Sequence, residues 1–243
     1  MSLRVRDVRL FDPGSGIDAP GRDVLIEDGR IASLNARGAR AEHTFEGRGR
    51  LLVPGFIDLR ADVGEPGHSD RETVATATRA AARGGFTTIV AMPTSEPTTD
   101  RVEVVQAIDA LARAAGPTRV LPAGAFSVGR AGERLAEFAK LAAAGCPFFT
   151  DADRPVADSQ LLRYGLETAD DVGTLIVTHA EDLGLSAGGV MNEGEVSTRL
   201  GLVGIPGTAE RSARTGWRSL RERAGSPGRC RAHDTGRRPP GPG

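Results

Sequence analysis

The feature that most constrains the fold is a regular alternation, after Leu51, of short apolar runs with longer stretches rich in Ala and Arg. The apolar runs have the length of buried strands, and the stretches between them have the length of amphipathic helices. The Gly84-Gly85 pair, which precedes an apolar run at Phe86, is a helix stop signal. The predicted strands are 51–58, 86–92, 119–125, 146–149 and 173–179, and the predicted helices are 70–83, 101–115, 131–144 and 158–171. This alternation predicts an α/β fold with a parallel sheet or a (β/α) barrel.

The first 50 residues carry a different pattern, which predicts a small β unit. Residues 3–11 alternate between two faces, and residues 12–16 (Asp-Pro-Gly-Ser-Gly) have turn chemistry. Residues 23–31 favour a hairpin with an Asp28-Gly29 corner. We therefore divide the chain into a β unit over 1–50, an α/β part over 51–210 and a C-terminal segment over 211–243.

The C-terminal segment differs in composition from everything before it. Its 33 residues include nine arginines, against Glu222 and Asp234, and end in Arg-Arg-Pro-Pro-Gly-Pro-Gly. A segment without a periodic apolar face cannot bury enough surface to offset its chain entropy, so we predict a disordered tail. We favour a shifted reading frame in a high-GC gene as its origin, with a natural basic tail as the alternative.

Charge and composition exclude several classes of function. The net charge is −1 and aromatic residues make up 4% of the chain, which argues against a nucleic-acid surface. Two cysteines are too few for a disulfide framework and suit a reducing compartment. Residues 1–6 lack the apolar stretch of a secretory leader, and no apolar run approaches 18 residues. We expect a soluble cytoplasmic protein that binds neither nucleic acid nor membrane.

Four motifs, in order along the chain, carry a resemblance to a known family. The segment 51–67 joins an apolar run through Pro-Gly to Phe-Ile-Asp, and 78–93 ends in Ala-Met-Pro. Residues 149–156 read Phe-Thr-Asp-Ala-Asp-Arg-Pro-Val, and 178–182 read Thr-His-Ala-Glu-Asp. Together they resemble dihydroorotase, a zinc amidohydrolase, over about residues 3–210. The resemblance implies the first five strands of a TIM-type (β/α) barrel of the metal-dependent amidohydrolase type.

The resemblance also implies where a metal would bind. The family opens a ring amide with a water that zinc activates, and zinc prefers imidazole and carboxylate ligands. Asp58 falls at the end of the first strand, Asp151 at the bridging carboxylate of the fourth strand and His179 at the fifth-strand ligand. The two first-strand histidines of the family are replaced by Arg60 and Asp62. A guanidinium at position 60 puts a fixed positive charge where the metal ion would lie.

Positions that bind substrate in the family differ as well. Gly64 stands where the family has an arginine, and Thr94 stands where it has an asparagine. The family's sixth-strand histidine lies beyond the recognisable region, and His233 falls in the tail, where we predict no strand. We therefore expect no resident cofactor, or zinc only if the three remaining ligand positions still bind it.

Alternative roles exist for each retained residue. We expect Arg60 and Asp62 to form an ion pair with Asp58 or Asp151 that fills the former metal site. Asp151 also suits a solvated turn, and a lone histidine such as His179 suits a hydrogen-bonded residue at the rim of a core.

Three functions are compatible with these residues, and whether the chain is an enzyme stays open. The family includes chains that lack the zinc histidines and act as structural partners of aspartate carbamoyltransferase, and the losses here favour that role. The alternative is an active zinc-dependent cyclic-amide hydrolase of the dihydroorotase, allantoinase or hydantoinase type. A third possibility is an unstable, truncated gene product, because five barrel strands leave sheet edges uncovered.

Overall fold

The computed structural model describes residues 1–223 and 230–233 of the 243-residue chain. Their strands are β1 (Ser2–Asp12), β2 (Ile17–Glu27), β3 (Arg30–Ser33), β4 (His43–Glu46), β5 (Leu51–Leu52), β6 (Phe56–Ala61), β7 (Phe86–Ala91), β8 (Arg119–Pro122), β9 (Gly124–Ala125), β10 (Phe148–Thr150), β11 (Leu175–His179), β12 (Met191–Asn192), β13 (Gly204–Ile205) and β14 (Cys230–His233). Their α-helices are α1 (Val74–Arg83), α2 (Val102–Ala115), α3 (Phe138–Ala143), α4 (Ser159–Val172), α5 (Leu183–Ser186), α6 (Glu195–Leu200) and α7 (Thr208–Arg223). The chain divides into two compact units, Met1–Phe56 and Ile57–Gly243.

The first unit is a sheet built around β1. The strand order is β3-β2-β1-β4, and β5 also pairs with β1. The antiparallel pair of β2 and β3 turns between Glu27 and Arg30, which confirms the predicted Asp-Gly corner. Val5, Val8 and Val24 form its small buried core. Beside it, the Arg4 guanidinium lies 2.5 Å from a carboxylate oxygen of Asp23.

The second unit contains the predicted succession of strands and helices. Its strands order as β6-β7-β8 and as β9-β10-β11-β14, and β8 and β9 are separated only by Ala123. The pairs β7–β8, β9–β10, β10–β11 and β11–β14 are parallel. The fold is therefore mixed α/β with strands in chain order. Over the residues described here, the sheets are open and do not close into a barrel.

Two predicted strands begin or end elsewhere because of proline. The predicted strand 51–58 is split at Pro54-Gly55: β5 pairs with β1, and β6 begins at Phe56. Pro147 delays the start of β10 to Phe148. Proline has no N–H to donate to a sheet ladder, so each strand starts beyond it.

The helices have clear local causes. The Thr73 hydroxyl caps α1 by accepting from the backbone N–H of Thr76, and the Asp158 carboxylate caps α4. The predicted helix 131–144 is shorter than expected, because Gly132 has a φ of +73° and a turn occupies the residues before α3. Phe138 of α3 stacks on Phe149 of β10 at a centroid distance of 4.0 Å, which anchors the larger core cluster.

The C-terminal segment differs from its prediction. The sequence predicts no regular structure over 211–243, whereas α7 runs to Arg223 and β14 covers Cys230–His233. Most residues of α7 are good or neutral helix formers, and Glu210 pairs with Arg214 one turn later. The Cys-Arg-Ala-His stretch of β14 has no apolar run, so periodicity gave no strand signal. The remaining residues of this prediction, 224–229 and 234–243, lie outside the described part of the chain.

None of the helices in the described residues is long and apolar enough to cross a membrane.

Candidate active-site cavity

A cavity of about 510 Å³ lies past the ends of β6, β7 and β10. Arg60 and Asp62 reach it from the end of β6, Thr94 from the loop after β7, and Asp153 from the loop after β10. Residues at the carboxyl ends of successive parallel strands converge at one edge of a sheet, which is where α/β folds place their sites. Four predicted site positions (60, 62, 64 and 94) therefore line one cavity.

The predicted ion pair of Arg60 and Asp62 with Asp58 or Asp151 is wrong. Among the ion pairs of the described residues, none includes Arg60 or Asp62. Asp62 instead accepts a hydrogen bond from the Thr94 hydroxyl. Asp58 accepts from the backbone N–H of Arg60 at 2.9 Å, a local bond at the strand end. Among the described residues, Arg60 therefore forms no ion pair with Asp58 or Asp151, and Asp62 is bound to Thr94.

Asp151 is bound to protein donors on both carboxylate oxygens. Its Oδ1 accepts from the backbone N–H groups of Phe126 and Ser127, each at 3.0 Å, and its Oδ2 accepts from Ser127 Oγ at 2.5 Å. The residue is 4% exposed, and this burial raises the pKa of its carboxyl group, while the hydrogen bonds from Ser127 oppose the rise. Asp151 therefore holds the chain after β9 to the chain after β10.

The side chain of Arg130 is part of the same structure, and the sequence pattern gave it no role. Its Nε and Nη2 donate to the backbone carbonyl of Asp151 at 3.1 and 3.0 Å, and Nη2 also pairs with the carboxylate of Asp153. Arg130 follows Gly129 in a tight turn, with a φ of +56°. The only sequence signal was the glycine-containing turn, which marks a loop but not the direction of its side chains.

Gly64 contributes backbone to the cavity wall. Its φ is +69°, and a Cβ built there would lie 2.1 Å from the carbonyl oxygen of Glu72 and 2.8 Å from that of His68. A side chain at this position would clash with rigid backbone. The loop therefore has no room for the arginine that the family resemblance implies at position 64.

His179 lies at the end of β11, and it is not one of the residues that line this cavity. Its Nε2 is 2.7 Å from Glu181 Oε2, so the ring donates from that nitrogen to the carboxylate. Its Nδ1 is buried and has no hydrogen-bond partner among the described residues. In the register of β11 and β14, His179 is paired with His233, so the expectation that no strand surrounds His233 is wrong.

Cys146 is neither a nucleophile nor a metal ligand. Burial raises the pKa of its thiol to about 12, so the thiolate that a nucleophile or metal ligand requires is not formed near neutral pH.

The described residues do not fit a zinc ion. Over the described part of the chain, no three His, Cys, Asp or Glu side chains lie close enough together to hold a metal. Both oxygens of Asp151 accept from protein donors, and Arg60 lines the cavity at a position where the family resemblance implies an imidazole. The unpartnered Nδ1 of His179 could accept a metal, but His179 does not line this cavity, and one imidazole is far from the three or four ligands of a protein zinc site.

Comparison with known proteins places this arrangement in a family. The family model described as dihydro-orotase-like matches residues 49–226, which is more than half of the chain. The chain belongs to the dihydroorotase-like family. It is 46% identical over 210 residues to a dihydroorotase of Anaeromyxobacter sp. (strain K) and 41% identical over 216 residues to one of Geobacter metallireducens. These alignments cover 86% and 88% of this chain but 48% and 50% of the relatives, so the chain spans about half the length of the curated relatives it matches.

Solved structures support the fold of this dihydroorotase-like chain. An L-hydantoinase from Arthrobacter aurescens matches with a TM-score of 0.74 and 21% identity. The match covers 95% of this chain and 51% of the hydantoinase chain. A crystal structure of a dihydroorotase matches with a TM-score of 0.54 and 14% identity. The match covers 95% of this chain and 64% of that dihydroorotase chain. At these identities the likeness concerns the fold alone.

Proposed function

We propose that this chain is a non-catalytic dihydroorotase homologue of cytoplasmic pyrimidine biosynthesis that serves as a structural partner of aspartate carbamoyltransferase. The observation that carries the proposal is Arg60. Arg60 lines the cavity, at a position where the family resemblance implies a zinc histidine. A fixed positive charge there opposes a divalent cation, and guanidinium cannot lose its proton to become a ligand.

The other replaced positions support the same conclusion. Asp62 and Thr94 satisfy each other by a hydrogen bond, and Gly64 has no room for a side chain. Asp151 acts as a structural acceptor between two loops. The hydrogen bonds of these residues need no metal, as expected of a chain that keeps the family fold for a purpose other than catalysis.

The test is complex formation. The purified chain is mixed with the aspartate carbamoyltransferase of its own organism and analysed by size-exclusion chromatography with light scattering. We expect one peak whose mass is the sum of both proteins, and we expect no opening of dihydroorotate with or without added zinc. Separate elution of the two proteins at micromolar concentration would contradict the partner role.

A second candidate, a zinc-dependent cyclic-amide hydrolase, is favoured by one observation. The Nδ1 of His179 is buried without a partner, and the strand register puts His233 beside His179. This candidate predicts zinc-dependent opening of dihydroorotate that His179→Ala abolishes. If the parent chain does not open dihydroorotate when zinc is supplied, this candidate is excluded.

A further inference from the structure

We propose that the cavity binds a small doubly charged oxyanion, a phosphate or a dicarboxylate, through the guanidinium groups of Arg60 and Arg71. Both side chains line the cavity of about 510 Å³ past the ends of β6 and β7. This inference concerns the cavity itself and does not depend on whether the chain binds aspartate carbamoyltransferase.

Arg60 is a charged group without a counter-charge. The residue is half-buried, and its backbone N–H donates to the carboxylate of Asp58. Among the described residues its guanidinium has neither an ion pair nor a hydrogen bond. A half-buried charge without a partner is costly, so the position favours an anionic group supplied from outside the chain.

Arg71 lies on the exposed side of the same cavity and is equally unpaired. Its backbone N–H bonds to the carbonyl of His68 in the turn before α1, which fixes the start of its side chain. Over the part of the chain that the structure describes, no acidic side chain pairs with its guanidinium. Arg60 thus reaches the cavity from β6, and Arg71 reaches it from the turn before α1.

The remaining charges around the cavity are already engaged. The third arginine, Arg130, is held by the carbonyl of Asp151 and the carboxylate of Asp153. Asp62 accepts from the Thr94 hydroxyl. The formal charges of the lining balance, but the acidic groups are held by donors other than Arg60 and Arg71.

The third acidic group of the lining, Glu72, is also engaged. Its Oε1 accepts from the Thr76 hydroxyl and, at 3.1 Å, from the backbone N–H of Thr73. The start of α1 therefore uses this carboxylate, which leaves both unpaired guanidiniums for a ligand.

The chemistry of these two groups selects the class of ligand. Each guanidinium presents a planar fork of N–H donors that matches the oxygens of a carboxylate or phosphate. Two forks suit a ligand with two negative charges. A cavity of about 510 Å³ is within the range of sites that hold small metabolites.

Titration calorimetry on the full chain tests the proposal, with inorganic phosphate and succinate as separate probes and acetate as the singly charged comparison. We expect phosphate or succinate to bind at one site per chain and acetate to bind much more weakly. Phosphate alone would identify a phosphate site and succinate alone a dicarboxylate site, and either result supports the proposal. The proposal would be overturned if neither phosphate nor succinate binds. It would also be overturned if acetate binds as tightly as the dianion that does bind.

Variants connect the binding to the two arginines. Arg60→Gln and Arg71→Gln should each weaken the dianion by about tenfold or more, because each removes charge-assisted hydrogen bonds. Arg79→Gln is the matched control, since it removes the same charge from the exposed face of α1 outside the cavity. Thermal unfolding without anion checks that the Arg60 and Arg71 variants fold. Equal losses of binding in all three variants would show attraction by net charge alone and would refute the assigned site.

Discussion

Removing the carboxylate of Asp151 should destabilise the protein, whereas replacing it by an amide should not. Asp151→Ala removes three hydrogen bonds and leaves the buried N–H of Ser127 without an acceptor. One unsatisfied buried donor costs about 1–3 kcal/mol, and the lost bonds to a charged group add to this. We expect a total loss of about 3–5 kcal/mol in the free energy of unfolding, which lowers the Tm of a chain this size by about 10 °C.

Asp151→Asn keeps the acceptor that Phe126 and Ser127 use. Its amide changes only the bond to Ser127 Oγ, and it removes the cost of burying a charge, the same desolvation that raises the pKa of Asp151. We expect a change within about 1.5 kcal/mol, the size of one hydrogen bond.

The assay is urea unfolding followed by circular dichroism, with both variants and the parent chain in the presence and absence of zinc. We expect the parent chain and Asp151→Asn to have similar free energies of unfolding and Asp151→Ala to have a much lower one. We expect zinc to change none of the three. Equal losses in both variants, or a stabilisation by zinc that both variants remove, would refute the structural role of Asp151. A broad, non-cooperative transition of the parent chain would instead support an unstable gene product.

Two further predictions test other parts of the chain. The pKa of the Asp23 carboxyl group is lowered, first by the hydrogen bond from the Asp7 N–H and then by Arg4. The ionised carboxylate therefore stabilises the fold above the ordinary pKa of 3.8, and this stabilisation is lost as the pH falls. Asp23→Asn should therefore flatten the acid side of the stability profile, measured by urea unfolding from pH 3 to 7, and an unchanged profile would contradict the linkage. Gly124→Ala should cost about 1–3 kcal/mol, because its Cβ would lie 2.5 Å from the ring of Phe149. Gly207→Ala, where a Cβ meets nothing within 4 Å, should be nearly neutral in the same assay and serves as the control.

The fold of the second unit could be predicted largely from local patterns. Phe86–Ala91 is an apolar run between a glycine pair and a proline-containing loop, and Ser159–Val172 is capped by Asp158 and ended by Gly173. Such signals are local, so one sequence is enough to place the elements. β14 could not be found in this way, because the strand is specified by its pairing with β11 and not by its own composition.

The candidate site was predictable only in part. The family resemblance located the strand ends, and positions 60, 62, 64 and 94 all reach the cavity. It could not show which groups pair with which, because the partners of Asp62 and Asp151 come from other loops, 32 and 24 residues away along the chain. Hydrogen bonds between loops depend on side-chain directions that periodicity does not encode, and Arg130 was missed for the same reason.

The two carboxylates that the family resemblance places near a metal, Asp58 and Asp151, are bound by protein donors. Here each has a donor of its own: the N–H of Arg60 for Asp58, and three groups of Phe126 and Ser127 for Asp151. Asp151, the buried one of the two, thus has both carboxylate oxygens hydrogen-bonded to protein donors, as buried polar groups require.

The most direct test of this account is the zinc content of the purified, folded chain after dialysis against zinc-free buffer, measured by atomic emission. The account predicts far less than one zinc ion per chain and no recovery of zinc after incubation with an excess followed by a second dialysis. About one zinc ion or more per chain, lost on His179→Ala, would contradict it and would make the cyclic-amide hydrolase the better proposal.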